Sequence, residues 1–275
     1  SQRGRGDPER RPRARGRRCP LQLPRRQPAW PPLLLLLSTY LVTSGQTLPP
    51  LSQTFWVFAA IGGLSQILAT LCVVALFKQR NFAVGITFKK TEVIQTALVG
   101  LVVLGDAISP GGLAAILLGL LAVLVLSKTP DSEETWLQQL TNRASLLGLG
   151  SGVLFAFSAV SYRGASLQLT ELDPALRAGI TLACVVCLQT VAMAVWLGLN
   201  DRPELRAVWA TRRVAVWVGL FSMGGSFCWF LAFTLQNAAY VKALGQVELI
   251  LSLLASVLFF KETVTRREIT GIALL

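Results

Sequence analysis

Two apolar runs, residues 82–104 and 238–260, each carry a single glutamate ten residues from their start: Glu92 in the first and Glu248 in the second. Runs of this length span a bilayer as helices. Lipid offers no partners to exposed backbone amides and carbonyls, so they have no other spanning form open to them. At 1.5 Å per residue the glutamates sit about 15 Å deep, half of a roughly 30 Å hydrocarbon core. An ionised acid there costs roughly 2.5–3.5 kcal/mol on insertion scales. A short carboxylate at the midplane cannot reach the headgroups. It must face a cavity, meet a cation or be protonated. It then serves either a transport site or a structural tie between two helices.

The two runs share a register. Glu92 and Glu248 stand 156 positions apart, and so do Asp106 and Glu262 at the ends of the runs. The same spacing relates Ala83 to Ala239, Ile94 to Ile250, Leu98 to Leu254, Ile116 to Ile272 and Gly63 to Gly219. A gap-free register that carries a rare buried acid in both copies is the signature of an internal repeat.

Composition enters here to exclude other classes. The chain is 53% hydrophobic and 15% charged, too apolar for a soluble domain of its length. The net charge of +12 does not point to nucleic acid, because ten of the 26 basic residues are arginines among the first 26 positions. There is no histidine, which removes His-based acid–base catalysis, His metal sites and Ser-His or Cys-His pairs. Cys184 and Cys187 spell CxxC inside an apolar run without further soft ligands, and read as small packing residues. No enzyme, no cofactor and no metal site is expected.

Taken in order, residues 1–29 are an Arg/Pro/Gly-rich tail that cannot bury a core and is expected to be disordered. The stretch reads as non-native, a GC-rich gene translated out of frame, with a polybasic tail on anionic lipid as the alternative. Residues 30–128 form the first repeat: a short run at 32–42, then spans at 55–77, 82–104 and 110–126. A polar loop at 129–143 separates it from the second repeat, 144–275, with spans at 144–162, 174–199, 214–235 and 238–260 and a last run at 265–275. Gly148 and Gly152, four apart, predict close approach by a neighbouring helix. The predicted fold is an all-α polytopic transmembrane bundle, an inverted repeat of five plus five helices with the first helix missing and the last truncated. An odd number of spans per repeat places the copies in opposite orientations, the plan of secondary transporters with a midplane site.

With Glu248 in its apolar helix, Lys261-Glu262 at the turn and Gly271-Ile-Ala-Leu274 opening the last run, residues 238–275 resemble the second half of an EamA domain, the repeat of the drug/metabolite transporter superfamily. Residues 82–128 resemble the same element, with Gly105-Asp106 at the equivalent turn. The resemblance covers about 55–275. It implies a ten-helix exporter or exchanger of small metabolites in the bacterial inner membrane, coupled to protons or a counter-substrate, as a monomer or homodimer, without nucleic acid. By helix parity Lys78, Arg80, Lys128, Arg143 and the bases of 202–213 and 261–267 share one side, which the positive-inside rule places in the cytoplasm. The resemblance implies the opposite insertion.

The candidate site is Glu92 and Glu248 with the polar residues near them. On one continuous helix Lys89 shares a face with Glu92, whereas Lys90 points about 200° away. Lys89 is therefore the expected local counter-ion, and Glu248, with Gly245 at the matching position, has none. Lys242, about 6 Å into its run, either reaches the acids or snorkels. Gln246, Gln95 and Gln66 either contact substrate or bridge helices. Tyr162, Tyr240 and Trp229 either line a cavity or pack. The function so read is a secondary transporter of a small polar or zwitterionic metabolite, with alternating access around Glu92 and Glu248. The alternative is a non-transporting membrane subunit whose acids tie helices together.

Overall fold

The computed structural model describes residues 50–79, 82–126, 142–200 and 212–248, with four single positions up to Leu258. The short run at 32–42, the inter-repeat loop through residue 141, the loop at 201–211 and the final run lie outside the described residues. Among the described residues every regular element is a helix. They are α1 (Gln53–Leu76), α2 (Phe82–Lys89), α3 (Glu92–Leu104), α4 (Pro110–Leu126), α5 (Arg143–Ser166) with a 3-10 turn (Leu167–Leu169), α6 (Pro174–Asn200), α7 (Arg212–Leu235) and α8 (Ala238–Gly245).

Local sequence sets most of these starts. Ser52 accepts from the Phe55 amide at 3.1 Å, Asn142 from Ala144 at 3.3 Å and Asn237 from Ala239 at 2.9 Å; each satisfies an otherwise orphaned first-turn donor. Pro110 and Pro174 open α4 and α6, where a missing N–H does no harm. Gly105 ends α3 at φ +68°, a left-handed conformation that glycine adopts without a Cβ penalty.

α5 is the hub. It packs against α1 over most of its length and also touches α2, α3, α6, α7 and α8. What permits this is a run of small side chains: Ser145, Gly148, Ser151, Gly152, Ala156 and Ala159 are buried. Without a hydrophobic force between helices in lipid, close backbone approach supplies the attraction. Gly148 shows how close it is, since a Cβ there would run into the backbone of Gly85 on α2. α6 covers α1 and α7.

The outer surface is apolar. Val102, Leu199 and Phe221 expose 83%, 79% and 79% of their area, the reverse of a soluble protein's economy and the pattern of side chains that face lipid. Among the described residues, three helical stretches are long and apolar enough to cross a membrane: Gln53–Leu76, Arg143–Leu169 and Pro174–Asn200. The molecule is a helical membrane bundle.

The first glutamate run departs from the expected single helix. It breaks between α2 and α3 at Lys90–Thr91. The amides of Lys90 and Thr91 reach back three residues, to Thr87 (3.1 Å) and Phe88 (3.2 Å), and the Thr91 hydroxyl donates to the same Phe88 carbonyl at 2.7 Å. The chain tightens into a 3-10 turn there. α8 ends in the same way: the amides of Gln246 and Val247 donate to Ala243 and Leu244, both at 3.1 Å, and helix resumes at Glu248. Both short helices have eight residues, and their ends keep the 156-residue offset.

Candidate functional site

Each break places its glutamate as the first residue of the resumed helix. Glu92 opens α3 and is buried, its side chain 9% exposed. Lys89, the last residue of α2, approaches Glu92 Oε2 at 3.2 Å across the break. Lys242 of α8 closes on Oε1 from the other half of the chain. Of the two roles open to Lys242, the structure shows it paired with the acid. One carboxylate thus bridges two lysines, and α2, α3 and α8 meet at it.

Aromatic rings complete the setting. Lys242 Nζ lies 5.3 Å from the Trp229 ring, 5.7 Å from Phe155 and 6.0 Å from Phe233; Lys89 Nζ lies 5.0 Å from Phe155. A ring face attracts a cation, and more strongly away from water. Neither Phe155 nor Phe233 is among the residues the sequence nominated. The signal for Phe155 was present: it continues the Gly148–Gly152 stripe of α5 by three residues.

A cavity of about 170 Å³ opens beside Glu92. Lys89, Lys90, Lys242, Glu92 and Glu248 supply its charges, and Gln246, Trp229, Phe155 and Gly245 the rest of its wall. The structure therefore brings seven nominated residues together. Lys90 lines the cavity without a salt bridge to Glu92, whose local counter-ion is Lys89. On a straight helix it faces away from Glu92, but a 3-10 turn advances about 120° per residue, which swings Lys90 round to the cavity. Glu248 is exposed on the same cavity and has no salt bridge among the described residues. Gln246 leaves its Oε1 buried without a hydrogen-bond donor among them.

The other four nominated residues stand elsewhere. Gln95 braces the first break, donating to Thr91 Oγ1 at 3.0 Å. Gln66 and Tyr162 belong to an α1–α5–α6 lock. The Tyr162 hydroxyl lies 2.7 Å from Gln66 Oε1, and Gln189 Nε2 donates to Gln66 Oε1 at 2.8 Å and to the Gly63 carbonyl at 3.1 Å. Tyr162 is 3% exposed and stacks on Phe230 at 4.4 Å. These groups satisfy one another. Gln189, the third member, is a mid-helix amide in α6 that sequence reading passed over. Tyr240 ties α8 to the α3–α4 connection, its hydroxyl accepting from the Ser109 amide at 3.2 Å.

Arg163 forms a separate joint: its Nε donates to Asp106 Oδ2 at 2.7 Å, its Nη2 lies 3.4 Å from Oδ1, and its Nη1 donates to the Phe233 and Gln236 carbonyls at 3.1 and 2.9 Å. The guanidinium fork fits the carboxylate and caps the open end of α7 at once. Its partners are distant in sequence, 57 to 73 positions away. Among the described residues no cluster of three or more Cys, Asp or Glu could hold a metal ion.

Nineteen chains of solved structures match this one. One of them, described as "Crystal structure of protein", has a TM-score of 0.63 at 16% identity and covers 94% of this chain and 86% of that chain. At that identity it shows a shared fold alone. No curated protein matches. The model of the EamA-like transporter family matches residues 142–275, from the start of α5 onward. Over those residues this helical membrane protein is similar to the EamA-like transporter family.

Proposed function

We propose that the chain is a secondary transporter, an exporter or exchanger, that moves a small polar or zwitterionic metabolite through the cavity around Glu92 and Glu248. One observation carries the reading: two helices are interrupted at the same register, and a buried acid at the first interruption is bridged by lysines from both halves of the chain. Interrupted helices at membrane depth are tolerated where they line a cavity. In transporters built from repeats they mark the substrate site. The 156-residue offset of the short helices supports an inverted repeat of 30–128 on 144–275.

In this reading the Glu92–Lys242 bridge joins the two repeats, and substrate or a proton competes for its members during alternating access. Glu248 provides the second titratable acid. Residence in the bacterial inner membrane, and function as a monomer or homodimer, belong to the same proposal.

The test is flux in proteoliposomes. The full chain is screened against labelled small polar metabolites, and Glu92→Gln and Glu248→Gln are compared on the substrate found. Glutamine keeps the shape and cannot ionise. Loss of flux in either variant with the folded fraction unchanged is the expected result. Wild-type flux in both sinks the reading. Loss of folded protein in both favours a non-transporting subunit, for which the saturation of Glu92 by two lysines is the supporting observation.

A further inference from the structure

The cavity beside Glu92 is charged unevenly. Three lysines face two acids among the described residues that line it. Lys89 and Lys242 are both engaged by Glu92, which leaves Lys90 and Glu248 without a salt bridge among the described residues and this lining one positive charge in excess. Beside them the Gln246 carbonyl oxygen is buried and receives no hydrogen bond among the described residues. Buried acceptors are nearly always satisfied, and this one belongs to a residue of the cavity wall at the second break. With about 170 Å³ of space, below the 300 Å³ or so where drug-sized pockets begin, the occupant has only a handful of heavy atoms.

We infer that the occupant, the substrate if the transport reading holds, is a small organic monoanion that also carries an O–H or N–H donor. Its carboxylate pairs with Lys90, its donor fills Gln246 Oε1, and its carbon lies against Trp229 and Phe155. A monoanion brings the lining to neutrality. A zwitterion leaves the excess charge in place, and a neutral molecule leaves Lys90 without a salt-bridge partner. Gln246 is thus a specificity residue that distinguishes a hydroxy acid from its deoxy analogue. Sites that spend a buried polar group on a substrate hydroxyl reject the analogue lacking it.

Four probes of nearly equal size separate the possibilities: L-lactate, propionate, L-alanine and lactamide. Each is titrated against the full chain in detergent at constant ionic strength, and affinity is read from the shift in Tm. Lactate is expected to bind at least about tenfold tighter than propionate, and both anions tighter than alanine or lactamide. Gln246→Met is expected to erase the lactate–propionate difference while raising the Tm of the empty protein, since it removes an uncompensated acceptor. Lys90→Gln weakens both anions alike, and Lys90→Arg retains them. Alanine binding as tightly as lactate, equal binding of lactate and propionate, or no shift with any probe overturns the inference from the wild-type protein alone. Lactate preference without flux in liposomes sinks the transport reading and leaves this inference standing. Flux of a zwitterion with alanine-first binding does the reverse.

Discussion

Helix α3 carries an acid at each end, and the two are held in different ways. Asp106, just past the C-terminal end, meets one arginine whose fork also caps two carbonyls of α7. Every group in that cluster has a fitted partner. Glu92, at the N-terminal end, meets two lysines that are point charges on flexible stems, with a third lysine, a second acid and an unmatched amide oxygen beside it. Arginine suits a fixed bidentate joint, whereas lysine is easily re-partnered. The difference teaches which end of α3 is fastened and which is open to exchange.

The largest expected effect tests the open end. Glu92→Leu strands Lys89 and Lys242 and should lower stability by about 3 kcal/mol, measured by thermal or denaturant unfolding in micelles. Adding Lys242→Met should recover a large part of that loss, because the bridge has few other ties. Arg163→Met tests the fastened end. It should cost about 2 kcal/mol, and adding Asp106→Asn should recover less than half, because the Phe233 and Gln236 carbonyls still lack their donor. Equal recovery in the two cycles would erase the distinction drawn between them.

Two glycine substitutions sharpen the comparison further. Gly148→Ala pushes α5 off Gly85 of α2, beside the Glu92 end, and should cost about 1–3 kcal/mol and weaken ligand binding. Gly150→Ala, with nothing near its Cβ position, should be neutral or stabilising by less than about 1 kcal/mol. At the other end, Gly105→Ala should cost about 1 kcal/mol by forcing a side chain into the left-handed region, with binding unchanged. Parallel loss of binding in Gly105→Ala and Gly148→Ala would show that the two ends are not independent.

The sequence by itself determined the helical character of the bundle, its lipid-facing runs, the starts of α1, α4, α5 and α6, the left-handed stop at Gly105 and the small-residue face of α5. These follow from short-range chemistry: lipid cannot satisfy a free backbone group, asparagine and serine cap the residues next to them, and a missing side chain permits close approach wherever it occurs. Glu92 and Lys89 were also legible, three residues apart on one chain. Only the tertiary structure decided that Lys242 rather than the headgroup layer receives Glu92, that Arg163 turns inward to Asp106, and that Gln66 and Tyr162 leave the site for a lock with Gln189. Those partners lie tens to about 150 positions apart, and no local pattern encodes which of several buried polar groups will meet. The position of Lys90 falls between the two. Its swing depends on a turn tightened by Thr91, a local cause, but straight-helix geometry cannot anticipate where a helix chooses to break.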